Sequence, residues 1–236
     1  MNQELVIEQL FALLVSGDRP AARQLVDETL AEGVRPEELA HDVFWPVVEM
    51  VNSLYRADQL TNLAHHYASR LLRSLVDQIQ TCYEQRPRRS RSVLMFCGAS
   101  EGDELEAQLV ADLAEADGYD ITFGGGGIAG DEILAEIGSR HPDILLMFAS
   151  SAADLPTIRK LIDTIREIGA CPGLQVVVGG GVFNRADGLA EEIGADLWVK
   201  KPQELLQRLV EEKGRRATPE QRTVGRNRRV LRLDAA

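Results

Sequence analysis

The sequence predicts an α/β protein in two parts: an N-terminal four-helix bundle, then a domain built on a five-stranded parallel sheet. Three observations carry this expectation. Residues 2–84 place apolar side chains at helical spacing in runs separated by glycines. From residue 92 onward, short apolar runs alternate with amphipathic helical segments, the pattern of repeated β-α units. Between the two lies Gln-Arg-Pro-Arg-Arg-Ser-Arg, residues 85–91, which reads as a polar, basic linker.

In the bundle, the first helix is expected over 2–15, with Leu5, Ile7, Leu10, Leu13 and Leu14 near helical spacing, and Gly17 ends it. Asp18 caps a second helix that tolerates Pro20 in its first turn, turns Leu25, Val26 and Leu30 inward, and closes at Gly33. A third runs over 36–54, and Pro46 inside it predicts a kink. The fourth covers 61–84, with Leu63, Tyr67, Leu71, Leu72, Leu75 and Ile79 as its apolar stripe. Short connections make these helices an antiparallel bundle.

Strands are expected at 93–96, 120–123, 144–148, 174–178 and 197–199, with helices near 103–117, 130–140, 155–169, 185–193 and 202–212. Apolar strands joined by helices specify a doubly wound parallel sheet covered on both faces. Such sheets bind ligands at the carboxyl ends of their strands, here 98–102, 124–130, 149–154, 179–184 and 200–202. The domains therefore read as 1–84 for the bundle, 92–212 for the sheet domain, and 213–236 for a basic, disordered tail. The stretch 92–104 matters most, because an apolar run passes through small residues straight into a helix N-terminus that gathers backbone N–H groups at one point.

Composition removes several function classes. With 44% hydrophobic and 27% charged residues in a 236-residue chain, a soluble globular protein with a real core is expected. No apolar run approaches the roughly 20 residues that span a bilayer, and Met-Asn-Gln-Glu-Leu has neither the basic region nor the apolar core of a signal peptide. Cys82, Cys97 and Cys171 are an odd set without C-x-x-C spacing, which argues against a disulfide framework or zinc site and for a cytoplasmic protein. A net charge of −11 disfavours nucleic acid as the partner of the body of the protein. The tail is the exception, with Lys213, Arg215, Arg216, Arg222, Arg226, Arg228, Arg229 and Arg232 against Glu220 and Asp234. It reads as a solvated terminus, a dock for an acidic partner or this protein's own acidic body, or a salt-sensitive contact to nucleic acid.

Several motifs carry possible chemistry. Gly125-x-Gly127-x-x-Gly130 matches a dinucleotide fingerprint, yet it follows the second strand, and the run 144–148 ends in Ala-Ser-Ser rather than an acidic residue, so dinucleotide binding is set aside. No Gly-Lys-Ser/Thr exists for a phosphate loop. Gly179-Gly180-Gly181 after a buried strand points to a close approach to the backbone, by a ligand or by a turn that needs positive φ. Ser150, Ser151 and Asp154 stand where either helix capping or ligand contact would use them. Cys97 reads as a small buried residue, and His141 falls at the opposite, solvent-exposed end of the sheet. His65 and His66 are adjacent on a helix, about 100° apart, so both cannot face one metal. Nothing resembles a Ser-His-Asp triad or a paired-carboxylate site, so no catalytic residue is expected and the protein reads as a non-enzyme.

The whole pattern resembles the cobalamin-binding module of methionine synthase, corrinoid proteins and light-sensing cobalamin repressors, over roughly residues 1–212. The segment from Val176-Val-Val-Gly-Gly-Gly-Val-Phe-Asn to Ile193-Gly-Ala-Asp-Leu-Trp198 looks like the family's Gly-Gly turn and its following Ile-Gly-Ala-Asp segment. Gly102-Asp103 through Leu109-Val110-Ala111-Asp112 looks like its first loop and helix, and Ala149-Ser150-Ser151 like its serine loop. Leu54-Tyr55 and His65-His66 resemble the aromatic position and Glu-His pair of the helical cap. The resemblance implies a flavodoxin-like sheet domain and a cofactor-binding set of Tyr55, His65, His66, Gly102, Asp103, Ser150, Ser151, Gly179, Gly180, Gly181 and Phe183. Cobalamin is the implied cofactor, with haem or another tetrapyrrole as the alternative, and His66 the candidate metal ligand from above. The departure lies below the corrin. The family's D-x-H-x-x-G histidine falls on Asp103 and its glycine on Glu106, and no histidine lies anywhere in 67–140. A carboxylate is a poor substitute for imidazole on cobalt. That loss favours a tetrapyrrole-responsive sensor acting through cap movement, protein partners and self-association over a corrinoid carrier of a methyltransferase system or a scaffold that lost its ligand. No helix-turn-helix segment stands ahead of the bundle, so sequence-specific DNA binding is not expected.

Overall fold

Gly17, in the left-handed conformation at φ 74°, ends α1 (Gln3–Ser16), and Asp18 starts α2 (Arg19–Ala31) by accepting the Ala21 N–H on its side chain at 3.1 Å. Both devices were expected from the sequence. The computed structural model describes residues 2–169 and 171–222. It divides the chain into two compact units: Met1–Ser90 with Ser100–Tyr119, and Arg91–Ala99 with Asp120–Ala236. The helix that follows the first strand is thus counted with the helical unit.

The expected third helix is three pieces: α3 (Pro36–Leu39), a π-helical turn Ala40–Phe44, and α4 (Trp45–Arg56). Pro46 causes this. It has no N–H to give the Asp42 carbonyl and its ring would strike that carbonyl, so the turn before it widens. Trp45 N–H reaches back to Ala40 O, and Gln3 Nε2 of α1 donates to Asp42 O at 2.6 Å. A kink was expected here, and the structure resolves it as a π-turn closed by a side chain.

In α5 (Asn62–Gln80) the buried stripe is His65, Ala68, Ser69, Leu71, Leu72, Leu75, Val76 and Ile79. Leu63 and Tyr67, expected inside, are 59% and 44% exposed, which corrects the stripe in the first turn. Tyr67 instead lies on Gly17, where a Cβ would stand 3.3 Å from its ring. Leu5 of α1 is likewise exposed, and Leu10 and Leu14 make that helix's buried contact. The last helix of the helical unit is α6 (Glu101–Ala116), packed on α4 and α5.

Of residues 85–91, expected as a polar, basic linker, the part up to 90 is pinned to the end of α6. Arg86 and Arg89 both pair with Asp117 at 2.7 Å, and Arg89 lies over the Tyr119 ring at 5.4 Å. Gly118, at φ 95°, lets the Pro87 carbonyl pass where a Cβ would come within 2.2 Å. In the second unit Arg91 is buried and donates to Leu209 O at 2.7 Å and Gln175 Oε1 at 3.2 Å.

The sheet comprises β1 (Ser92–Cys97), β2 (Asp120–Gly126), β3 (Ile144–Phe148), β4 (Gln175–Gly179) and β5 (Leu197–Trp198), all parallel, in the order β2-β1-β3-β4-β5. Every residue of β3 and β4 is buried, as the apolar runs require of a sheet covered on both faces. One face carries Leu94, Phe96, Leu145, Met147, Val176 and Val178, packed with Ile133 and Ile137 of α7 (Gly130–Arg140) and Ile158, Leu161, Ile162 and Ile165 of α8 (Leu155–Ile168). The single helix expected over 185–193 is two short ones, α9 (Gly181–Arg185) and α10 (Leu189–Ile193), broken at Gly188 with φ 79°. The last helix is α11 (Pro202–Glu211).

The basic tail is ordered over its first part. Buried Asp196 accepts Val176 N–H, Ala217 N–H and Arg166 Nη2, and Arg222 Nη1 reaches Asp163 at 2.5 Å. Arg215 stacks on Trp198, 4.8 Å from the ring centre. The expectation of a disordered tail therefore fails for 213–222, because its cations find carbonyls, carboxylates and an indole on the second unit. Residues 223–236, with the rest of the basic run, lie outside the described residues.

Glycines at the strand ends have testable roles. At Gly180 (φ 100°) a Cβ would stand 2.5 Å from Ala149 O, whereas at Gly130 nothing lies within 4 Å. Gly180→Ala is expected to cost about 2–3 kcal/mol in urea unfolding. Gly130→Ala, in the first turn of α7, should be neutral or stabilising by up to about 1 kcal/mol.

Candidate functional site

Helix α6 begins where the sequence placed the organising turn. Ser100 Oγ accepts Asp103 N–H at 3.0 Å and donates to Asp103 Oδ2 at 2.6 Å, so one hydroxyl both caps the helix and fixes the carboxylate. Asp103 is 1% exposed, and its other oxygen, Oδ1, is buried without a hydrogen-bond partner. One turn on, Glu106 is 3% exposed, and its Oε1 accepts Asn52 Nδ2 of α4 at 2.9 Å. The same Asn52 side chain lies on Gly102, where a Cβ would come within 2.5 Å of Asn52 Oδ1. Gly102 is thus required by the close approach of α4.

Burial pushes Glu106 up to about 7, a rise reinforced by the charges of Asp103 and Glu49 and opposed by the Asn52 hydrogen bond and Arg56. Two buried carboxyl groups thus stand three residues apart on one helix.

The cap residues gather nearby in the same unit. The Tyr55 ring stacks on His65 with centroids 4.0 Å apart and planes 20° apart, and Tyr55 Oη donates to Asn62 Oδ1 at 2.8 Å. His65 is buried, and desolvation, with the neighbouring His66 charge adding to it, lowers its pKa and holds it neutral. His66, half exposed, instead turns its Nδ1 to Glu101 Oε2 of α6 at 3.2 Å. One histidine inward and one outward is what the 100° step required. Tyr55, His65, His66, Gly102 and Asp103 are therefore brought together in one unit.

The remaining expected residues lie in the second unit. Gly179 and Gly180 fit against Phe148 and the Ala149 backbone, and Gly181 beside the Arg185 guanidinium. Packing within the unit accounts for these glycines. Ser151 caps a 3-10 turn by accepting Ala153 N–H, the Ser150 carbonyl accepts Arg185 Nη2, and Phe183 is buried in α9. The four-glycine run is explained in the same way: Gly124 leaves room for the Phe96 ring, and Gly126 for the Gly98 carbonyl. It forms the bulge between β2 and β1, whose register slips between Met95 and Phe96. A cavity of about 150 Å³ opens at the carboxyl ends of β1 and β3, between Cys97, Ala99, Gly127, Phe148 and Thr157. It stands at the point where the strand order reverses. His141 is exposed, at the other end of the strands, with Nδ1 3.3 Å from Cys171 Sγ.

Sequence reasoning missed Asn52, and saw Glu106 only as a displaced glycine. The signal was a polar side chain within each apolar stripe, Asn52 beside Val48 and Val51, and Glu106 between Leu105 and Leu109.

Two family models, each described as a B12 binding domain, match the chain, one over residues 91–210 and one over residues 6–80. The chain belongs to the B12-binding family. Its cofactor is cobalamin. The chain is 21% identical over 200 residues to the trimethylamine corrinoid protein of Methanosarcina barkeri, covering 84% of this chain and 91% of that protein. The monomethylamine corrinoid protein of the same organism superposes with a TM-score of 0.78 at 18% identity, over 90% of this chain and all of that one. This likeness shows the fold, helical region and parallel sheet together.

The residues present can be tested against the cofactor. Among the described residues, no group of three or more His, Cys, Asp and Glu is placed to hold a metal ion. The first turn of α6 offers carboxylates and no imidazole, which does not fit a nitrogen ligand to cobalt. The unpartnered Asp103 Oδ1 does fit a hydrogen-bond donor, and a corrinoid carries such donors on its carboxamide rim. No helix among the described residues is long and apolar enough to cross a membrane.

Glu106 makes stability pH-dependent. With its folded value raised above the usual carboxylate range, the folded state keeps a proton that the unfolded state releases, so stability falls as pH rises from about 4.5 through 7. Asp112, pushed up to about 7 chiefly by burial, acts with the same sign. Glu106→Gln should melt close to wild type at pH 5 and on the order of 3–5 °C higher at pH 8. Equal shifts at both pH values would contradict a buried, titrating Glu106.

Proposed function

We propose that this chain is a corrinoid carrier protein, which holds cobalamin and presents it to separate methyltransferases. The observation that carries the reading is the extent of the likeness to the trimethylamine corrinoid protein, which reaches through both the helical region and the sheet domain. The sensory role expected from the missing histidine has no comparable support. Its one premise, the absence of an imidazole on α6, bears on how cobalt is tuned and not on whether a partner can reach it.

When bound, cobalamin supplies a cobalt centre able to carry a methyl group. The chain's own residues do the rest. Tyr55, stacked on neutral His65 and held in place by Asn62, offers the flat face of its ring. His66 is the candidate ligand from the cap, and its present partner Glu101 is a half-exposed side chain that can be released at little cost. Asp103 offers a buried acceptor, and Ser150, Ser151, Gly179, Gly180, Gly181 and Phe183 are the candidate contacts of the second unit. No side chain here is assigned a bond-breaking role, and the chemistry of methyl transfer belongs to the partner enzymes.

The test is a methyl-exchange assay. Protein loaded with methylcobalamin is mixed with a corrinoid-dependent methyltransferase and its acceptor thiol, and loss of the methyl group is followed by absorbance. A carrier reacts with enzyme present and is inert alone. Protein that binds corrinoid, ignores every methyltransferase tried, and changes oligomeric state on loading would favour the sensor instead. His66→Ala is expected to move the visible bands of bound hydroxocobalamin, and unchanged bands would remove His66 as a ligand.

A further inference from the structure

A carboxylate oxygen buried without a donor is costly and is retained where something supplies the donor. Asp103 Oδ1 is such an atom, on a residue 1% exposed, while Oδ2 of the same group is satisfied by Ser100. Its environment is built and not incidental. Ser100 fixes the carboxylate, Gly102 lets Asn52 lie against the turn, and Asn52 binds Glu106. The helix has sixteen residues and its N-terminus favours an anionic side chain, so Asp103 stays in place as an acceptor. Neither Lys, Arg nor His occurs in α6, so the helix has no cation for the carboxylate and no imidazole for a metal.

We infer that Asp103 is the residue by which α6 holds the corrinoid: its Oδ1 accepts an N–H from a carboxamide arm of the macrocycle and does not ligate cobalt. The inference rests on the cobalamin-carrier reading and deepens it. A primary carboxamide is a neutral donor of the right kind, and a charge-assisted hydrogen bond of this type contributes more than a neutral one. The turn is held shut by side chains, Asn52 on Gly102 and Glu106, and His66 on Glu101. Of these, the His66–Glu101 pair is exposed on both sides and parts at little cost without unfolding a helix. The site recognises the rim of the corrin, so its ligand class is any corrinoid with intact carboxamides, whatever its lower base.

The experiment measures binding of dicyanocobinamide and hydroxocobalamin to the full-length chain by absorbance titration, for wild type, Asp103→Leu and Asp103→Asn. Each protein's melting temperature without ligand is recorded beside it. Asp103→Leu should weaken both corrinoids about 10- to 100-fold, with the visible bands of the bound cofactor at wild-type positions and a melting temperature not below wild type. Asp103→Asn, which keeps a carbonyl acceptor, should recover part of the affinity. A cobalamin whose rim carboxamides are hydrolysed to carboxylates should bind wild type worse, and Asp103→Asn less so. Unchanged affinity in Asp103→Leu overturns the inference, and shifted bands overturn it in favour of a carboxylate on cobalt. If Asp103→Leu fails to fold, Asp103→Asn and the hydrolysed ligand decide by the same criteria. Wild type that retains no corrinoid at all would instead overturn the carrier reading.

Discussion

The contact on which the helical unit turns is the one between α4 and the first two turns of α6. The Asn52 carboxamide lies against the Gly102 backbone and donates to Glu106 at 2.9 Å, in a place where neither partner is open to water. In low dielectric such a bond is strong and an unpaired group is expensive, so the junction is either fully made or a liability. It is made on one side only. Asn52 satisfies Glu106, Ser100 satisfies half of Asp103, and one carboxylate oxygen is left over. Burial of Glu106 gives the turn a pH-dependent stability, and the leftover Asp103 oxygen is the acceptor proposed above for a donor from the ligand.

The second unit is organised by different physics. Its glycines, which on sequence alone invited a ligand, serve mainly to bring strand ends together: Gly124 under Phe96, Gly126 against Gly98, Gly180 against Ala149. The C-terminal strap then closes the β4–β5 side through Asp196, whose buried carboxylate takes donors from Val176, Arg166 and Ala217. Loops clamped by backbone packing hold the strand ends in place, which suits the carrier role proposed above.

Most of the architecture could be read from the sequence because periodicity reports burial directly. The five strands, the parallel order of a doubly wound sheet, the Asp18 cap and the Gly17 stop all follow from local residue types. What escaped was set by distant contacts. The π-turn needs Gln3 to reach Asp42, the exposure of Leu63 and Tyr67 depends on where α1 ends, and the ordered strap depends on acceptors some 20 to 60 residues upstream. The site shows the same division. Tyr55, the His65–His66 pair and the Gly102–Asp103 turn were legible from spacing and resemblance, whereas Asn52 and the true setting of Glu106 were not, since a hydrogen bond between helices 54 residues apart leaves no local pattern.

The proposed carrier role requires the protein to keep its cofactor, here without an imidazole on α6. The most direct measurement is the corrinoid content of the protein after mixing with hydroxocobalamin and desalting, read from the visible spectrum against protein concentration. Stoichiometric retention, with bands displaced from those of free cofactor, is the predicted result. A colourless protein with native helical signal would contradict the account and leave the fold as a scaffold without its ligand.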